Sequence, residues 1–287
     1  MRLPDFLIIG SMKSGTTGLF FDLCDHPKVY LPDNKEPHAL CDDNVLTAAG
    51  QQSYAALYEG ATDDQLVGDA STGYSKLPER PGVVERATAV LPDNFRAIYI
   101  IREPISRIIS QHYHEFSRGM VGPDINAVVR EHSRYVDFSR YAWQLRPWVE
   151  AIGRDRIHVV LFERYKSDRD ATVAKACEFL GLDPAEMPAI DQQEVFNAGD
   201  GKPVPGKVWN AIRGNKLYQN LVRPLVSSRA RHHLRKYFMR KAPPRPAPPT
   251  AETVAWLEEQ LAADREELTT QWGLEAWPAK QAAANSQ

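Results

Sequence analysis

A chain of 287 residues with 43% hydrophobic and 25% charged residues is long enough to bury a substantial core. Its formal net charge of −2 gives no global pull toward nucleic acid or an anionic membrane, so any anion site must be local. The three cysteines, Cys24, Cys41 and Cys177, are too widely spaced for a disulfide framework or a zinc site, and no apolar run approaches the ~18 residues of a membrane span. A first strand close to Met1 leaves no room for a signal peptide, and a cytoplasmic location without a transmembrane segment is expected.

The first predicted element is the apolar run Phe6-Leu7-Ile8-Ile9, which breaks into the loop Gly10-Ser11-Met12-Lys13-Ser14-Gly15-Thr16-Thr17. Apolar residues return at Leu19, Phe20, Leu23 and Cys24, the spacing of one helix face. Strand, tight loop and helix N-terminus in that order make a phosphate cradle, because unpaired backbone N–H groups and the helix dipole face the same anion. The spacing of Gly10 and Gly15 matches the ATP and GTP loop, but Thr16 stands in the lysine position and the lysine lies inside the loop as Lys13. Such enzymes also hold Mg²⁺ with an acid at the end of a second strand. Here the second strand, Ala97–Ile101, ends in Arg102, which favours direct capture of a phosphate.

Between these strands lie the Pro-flanked run Asn34-Lys35-Glu36-Pro37-His38, a helical pattern from Ala48 to Tyr58, and a short strand entering the polar loop Ala70-Ser71-Thr72-Gly73-Tyr74. A helix is predicted over 82–91. Pro104 suits the first turn of the helix after Arg102, where Ser106, Ser110 and Tyr113 share one face. Arg107 reads there as a structural ion-pair partner. His112 and His114 lack companions at metal-ligand spacing, so no metal is expected. Residues 117–137 read as a mobile loop and helix. A helix with Trp143 and Trp148 follows, then a strand over 156–163 and a helix from Ala171 to Leu180 stopped by Gly181. The alternation predicts a parallel sheet. Beyond Pro184 it stops; a Gly-rich loop carries Lys202, a basic run spans 229–245, and a last helix covers Thr253 to Trp272 with Trp256, Leu257, Leu261 and Leu268 facing inward.

Lys13-Ser14-Gly15-Thr16-Thr17 after a strand resembles the 5′-phosphosulfate loop of sulfotransferases that use 3′-phosphoadenosine 5′-phosphosulfate (PAPS). Arg102-Glu103-Pro104-Ile105-Ser106-Arg107-Ile108-Ile109-Ser110, about 90 residues further on, resembles that family's 3′-phosphate motif, an Arg with a Ser eight residues later. Lys35-Glu36-Pro37-His38 is similar to the heparan-sulfate and glycan branch, where this run supplies the catalytic glutamate, here Glu36. His38 is the other candidate base. In that branch the stretch at 69–74 usually reads Glu-Lys-Ser-Pro-x-Tyr, and this chain has Ala70 in the lysine position.

The resemblance implies an α/β fold, a P-loop-like parallel β-sheet flanked by helices with helical C-terminal additions, in one domain over residues 1–277 (core 5–183, C-terminal part 184–277) before a disordered tail at 278–287. It implies PAPS as co-substrate, no metal, and sulfuryl transfer to a hydroxyl or amine of a carbohydrate, lipid or small molecule. Lys13, Ser14, Gly15, Thr16, Thr17, Arg102, Ser110 and Lys202 are then expected at the donor, Glu36 and Lys13 in catalysis, and His38, Ser71 and Tyr74 at the acceptor. A P-loop small-molecule kinase and a non-catalytic glycan-binding protein on the same scaffold are the alternatives.

Overall fold

The computed structural model describes residues 1–190, 243–274 and 277, together with the backbone of 204–205 and 239–240; Lys202, most of the basic run and the 278–287 tail lie outside the described residues. Strands β1 (Phe6–Gly10), β2 (Val29–Tyr30), β3 (Leu66–Ala70), β4 (Arg96–Ile101) and β5 (Ile157–Leu161) form a parallel sheet in the order β2-β3-β1-β4-β5. The helices are α1 (Thr16–Cys24), α2 (Ala48–Ala55), α3 (Val83–Val90), α4 (Pro104–Phe116), α5 (Ile125–Glu131), α6 (Arg134–Asp137), α7 (Tyr141–Ile152), α8 (Phe162–Ser167), α9 (Arg169–Leu180) and α10 (Ala251–Trp272). A short antiparallel pair joins β6 (Val204–Pro205) and β7 (Met239–Arg240).

Parallel strands covered on both faces read as continuous apolar runs, and the central β1 is one: Phe6 to Ile9 are all fully buried. Phe6, Ile8, Ile98 and Ile100 pack with Leu19, Phe20 and Leu23 of α1 and Val173, Ala176 and Leu180 of α9. Leu7, Ile9, Tyr99 and Ile101 pack on the other face with Ala87 of α3 and Tyr141, Leu145 and Trp148 of α7. Helix α1 is also fixed by charge: buried Asp22 accepts from Tyr165 Oη at 2.5 Å and Arg169 Nε at 2.9 Å. Removing one partner would leave a buried charge unpaired, a cost of roughly 3–5 kcal/mol.

Residues 117–137 depart from the sequence expectation. They hold α5 and α6, and Ile125, Val128, Val129, Tyr135 and Val136 join Ile105, Ile108, Leu257 and Leu261 in a third apolar cluster. The cover comes from α10, more than 100 residues later, so local periodicity carries no sign of it. Helix α10 otherwise keeps its expected face, with Leu257, Leu261 and Leu268 buried, Trp256 half-buried under Arg130, and Gly273 ending it at φ 60°.

The fold brings two chain segments to one edge. β1 and β3 are neighbours, with Ile8 beside Ala70, so the loop after β1 and the turn after β3 leave adjacent C-terminal strand ends. That edge is where parallel α/β sheets place their ligands.

Candidate active site

The loop between β1 and α1 is built from its own small side chains. Ser11 Oγ lies 2.5 Å from Ser14 Oγ and donates to the Ile100 carbonyl at 3.1 Å. Both serines are buried, so Ser14, expected at the donor, braces the loop with its hydroxyl. Gly15 turns the chain at φ 95°, and a Cβ there would stand 2.7 Å from the Phe162 ring. Among the described residues, the backbone N–H groups of Gly15, Thr16 and Thr17 have no acceptor. These orphan donors at the start of α1 fit a phosphate.

Cations surround the loop. Arg102, directly after β4, lies over the Phe162 ring at 5.0 Å, with Nη1 3.4 Å from the Lys13 carbonyl. Its own carbonyl accepts from Tyr141 Oη at 2.7 Å. Arg107 is fully buried on α4 and donates to Ser139 Oγ at 2.7 Å, the Tyr135 carbonyl at 2.9 Å and the Met12 carbonyl at 3.5 Å. These partners are neutral, so Arg107 is not the ion-pair partner that its place three residues after Pro104 suggests. Burial, then the charges of Arg102, Arg118, Arg107 and Arg245, brings the Lys13 ammonium down to about 8. A cluster of five cations around one loop is a strong local anion field on a chain with almost no net charge.

Helix α4 begins with Pro104 in its first turn, and Glu103 caps it by accepting from the N–H groups of Ile105 (2.9 Å) and Ser106 (2.8 Å). Ser110 follows on α4, half-buried and about 9 Å from the helix start at 1.5 Å per residue. Tyr113, one turn further, donates to the Pro243 carbonyl at 2.9 Å and lies under the Arg245 guanidinium at 5.1 Å. The proline-rich stretch before α10 is thereby tied to the face of α4 that carries Ser110.

The second half of the site is centred on Glu36. Its Oε1 accepts from Lys35 Nζ at 2.7 Å, and its Oε2 accepts from Thr72 Oγ1 at 3.0 Å with His38 Nε2 at 3.4 Å. Burial alone would raise the Glu36 carboxyl, but the His38 contact, the Lys35 charge and the Lys35 and Thr72 hydrogen bonds outweigh it and hold the group well below the carboxylate range. His38 moves the other way, to about 9, because Cys41 lies beside its ring and Glu36 beyond it. The backbone is anchored to β3: Glu36 N–H donates to the Ala70 carbonyl at 3.0 Å, and His38 N–H to Ser71 Oγ at 3.1 Å. Beneath lies Asp69, fully buried, accepting from Tyr54 and Tyr74 at 2.6 Å each and from Ser71 at 2.8 Å. Burial pushes the Asp69 carboxyl up, and these three hydroxyls pull it back. Ser71 and Tyr74, expected to line the acceptor pocket, are therefore turned inward and support the loop that carries Glu36 and His38.

Backbone strain marks the same residues. Among the described residues, the non-glycine positions with positive φ are Lys13 at 72°, Glu36 at 65° and His38 at 55°. Such conformations persist only where the surroundings enforce them, and they concentrate at functional sites. No sequence signal announces them. Lys35 and Arg107 lie inside the motifs and Arg245 ends the basic run, but no motif shows that Lys35 and Thr72 hold Glu36 or that Arg107, Arg118 and Arg245 surround Lys13. Among the described residues, no group of His, Cys, Asp and Glu is placed to hold a metal ion.

A loop with orphan N–H groups, a parallel sheet and a strand-end arginine make this an α/β protein whose sheet edge fits an anion. The pattern of the sulfotransferase domain matches residues 3–212, and the chain belongs to that family. Heparan sulfate glucosamine 3-O-sulfotransferase 6 of Homo sapiens is 28% identical over 231 residues, covering 78% of this chain and 64% of that protein. The chain thus matches less than two thirds of that relative's length. The membrane-associated sulfotransferase kil1 of Dictyostelium discoideum is 33% identical over 114 residues, 39% of this chain and 23% of that one. A sulfotransferase from Alicyclobacillus acidocaldarius shares the fold at a TM-score of 0.69 and 19% identity, covering 96% of this chain and 98% of that chain. Among the described residues, no helix is long and apolar enough to cross a membrane.

Proposed function

We propose that this chain transfers the sulfuryl group of PAPS to a hydroxyl or amine of an acceptor, a carbohydrate, lipid or small molecule, in the cytoplasm. The observation that carries this reading is the left-handed backbone at Lys13, Glu36 and His38: Lys13 follows β1, while Glu36 and His38 follow β2 and are hydrogen-bonded to the end of β3, the neighbour of β1. Strained backbone concentrates at functional sites, and here it falls on the phosphate loop and on the loop that carries the carboxylate.

PAPS supplies an activated sulfuryl group on a 5′-phosphate, and the orphan N–H groups of Gly15, Thr16 and Thr17 suit that phosphate. Lys13 offsets the charge that builds on the phosphate oxygen as the bridging bond to sulfur breaks. Arg102 and Ser110 hold the 3′-phosphate, which separates PAPS from ATP, and Arg245 adds charge from the strap across Tyr113. Glu36 is the base. His38, with its pKa at about 9, is an imidazolium at neutral pH and has no site for the proton. Glu36 is ionised throughout that range, and as a weak base it takes the proton late, once O–S bond formation has acidified the hydroxyl.

The test is transfer of label from ³⁵S-PAPS to a panel of sugars, glycolipids and phenols. Wild type is expected to label at least one class. Glu36→Gln should lose activity by about 100-fold or more, the span of a general base, while keeping its affinity for 3′-phosphoadenosine 5′-phosphate (PAP). Full activity in Glu36→Gln would remove Glu36 as the base.

A further inference from the structure

Lys76 directly follows the turn Thr72–Ser75, and nothing assigned so far uses it. Its place is fixed from both sides. Ser75 Oγ donates to the Ile9 carbonyl at 2.9 Å, at the root of the phosphate loop, and packs so closely on Gly10 that no Cβ would fit there. Leu77 N–H donates to Gln144 Oε1 at 2.9 Å, and the Lys76 carbonyl accepts from Arg80 N–H at 2.9 Å. The side chain is half-buried, with Nζ 5.6 Å from the centroid of the buried Phe138 ring.

Among the described residues, no carboxylate lies within ion-pair distance of this ammonium. Burial lowers its pKa, Glu36 and Glu79 act against that, and Arg107 and Arg80 add to it. The turn that leads into Lys76 touches the proposed base through Thr72 Oγ1, 3.0 Å from Glu36 Oε2, and the root of the phosphate loop through Ser75 Oγ, which places Lys76 between the two halves of the site. Lys35 is already engaged by Glu36 Oε1, and Lys13 stands among the arginines, so neither occupies this intermediate place. An unpaired, partly desolvated ammonium is costly unless an anion completes it.

We propose that Lys76 is a catalytic cation that binds the non-bridging oxygens of the sulfuryl group during transfer, an inference that rests on the PAPS-dependent reading above. In the step it serves, the acceptor oxygen forms a bond to sulfur and the bond from sulfur to the bridging oxygen breaks. That electron pair stays on the 5′-phosphate, and the hydroxyl proton passes to Glu36. Lys76 neither gains nor loses a proton. Its charge offsets the repulsion between an anionic sulfuryl group and the nucleophile arriving beside a carboxylate.

PAP and PAPS differ by the sulfuryl group alone, so their affinities isolate the contact. In calorimetry without acceptor, Lys76→Met is expected to bind PAP like wild type and to weaken PAPS by about tenfold, the scale of one charge-assisted hydrogen bond. Lys76→Arg should restore most of that difference, and labelled transfer should fall further in Lys76→Met than in Lys76→Arg. Equal weakening of PAP and PAPS would move Lys76 to the phosphates and overturn the proposal, as would unchanged affinity for both, with or without a raised acceptor KM. Lys76→Gln, read in the same way, decides the matter if loss of the ammonium over Phe138 unfolds Lys76→Met. Failure of wild type to bind PAP would instead refute the PAPS reading before any variant is compared.

Discussion

Lys13 carries its ammonium into a group of arginines, and burial together with Arg102, Arg118, Arg107 and Arg245 brings its pKa to about 8. With a folded value below the ordinary 10.5, the folded chain binds fewer protons between those values, so this residue makes stability rise with pH from 8 to 10.5. Below pH 8 its charge is a standing cost that a bound anion relieves. Donor binding at pH 8 is therefore expected to take up about half a proton per site through Lys13. Calorimetry with PAP in buffers of different ionisation enthalpy reads this directly; no uptake at pH 8 would contradict it. The charged forms of His38 and Glu36 stabilise the fold instead. The raised His38 contributes stability fully below 6.5 and loses it as pH rises through about 9, while the depressed Glu36 contributes above 4.5 and loses it as pH falls through its folded value. The identities of these three residues were legible from their motifs. Their left-handed backbone was not, because nothing in a Lys, Glu or His asks for positive φ.

At the scale of elements, α4 joins the two halves of the chain. Its start was legible from Pro104, and its Arg102-to-Ser110 spacing from the family motif, since both depend on residues close in sequence. The role of Arg107 was not, because its partners Ser139, Tyr135 and Met12 lie 32, 28 and 95 residues away. Arg107 holds α4, the turn after α6 and the phosphate loop at one buried point. Arg107→Met is expected to strand the Met12 carbonyl and to leave the Tyr135 carbonyl with Ser139 Oγ alone, at a cost of about 1–3 kcal/mol for the buried group left unsatisfied. The melting temperature should fall by several degrees in calorimetry, at about 2–4 °C per kcal/mol for a chain of this size. A change below one degree would show that Arg107 does not tie these elements.

Across the whole molecule, the sheet and its two helical layers could be read in advance because strand–helix alternation is local, as far as Gly181. The part that covers α4 could not, because α10 meets α4, α6 and α7 only through the fold. Asp264 on α10 illustrates this: it accepts from the N–H groups of Ala142 (3.1 Å) and Trp143 (2.9 Å), capping α7 from more than 100 residues away. Arg245 reaches Tyr113 by the same long route, and so the cations around Lys13 come from the end of β4 and the strap before α10 as well as from α4. The central claim is that these distant pieces select an adenosine carrying both a 5′- and a 3′-phosphate. Calorimetric titration of wild type and Arg102→Ala with PAP and with AMP, in the absence of Mg²⁺, tests it most directly. Wild type should prefer PAP by about 100-fold, and Arg102→Ala should lose most of that preference while its weak AMP binding changes little, as expected for a charge-assisted contact to the 3′-phosphate. Equal losses for both ligands, or wild-type binding of Mg²⁺–ATP in preference to PAP, would contradict it.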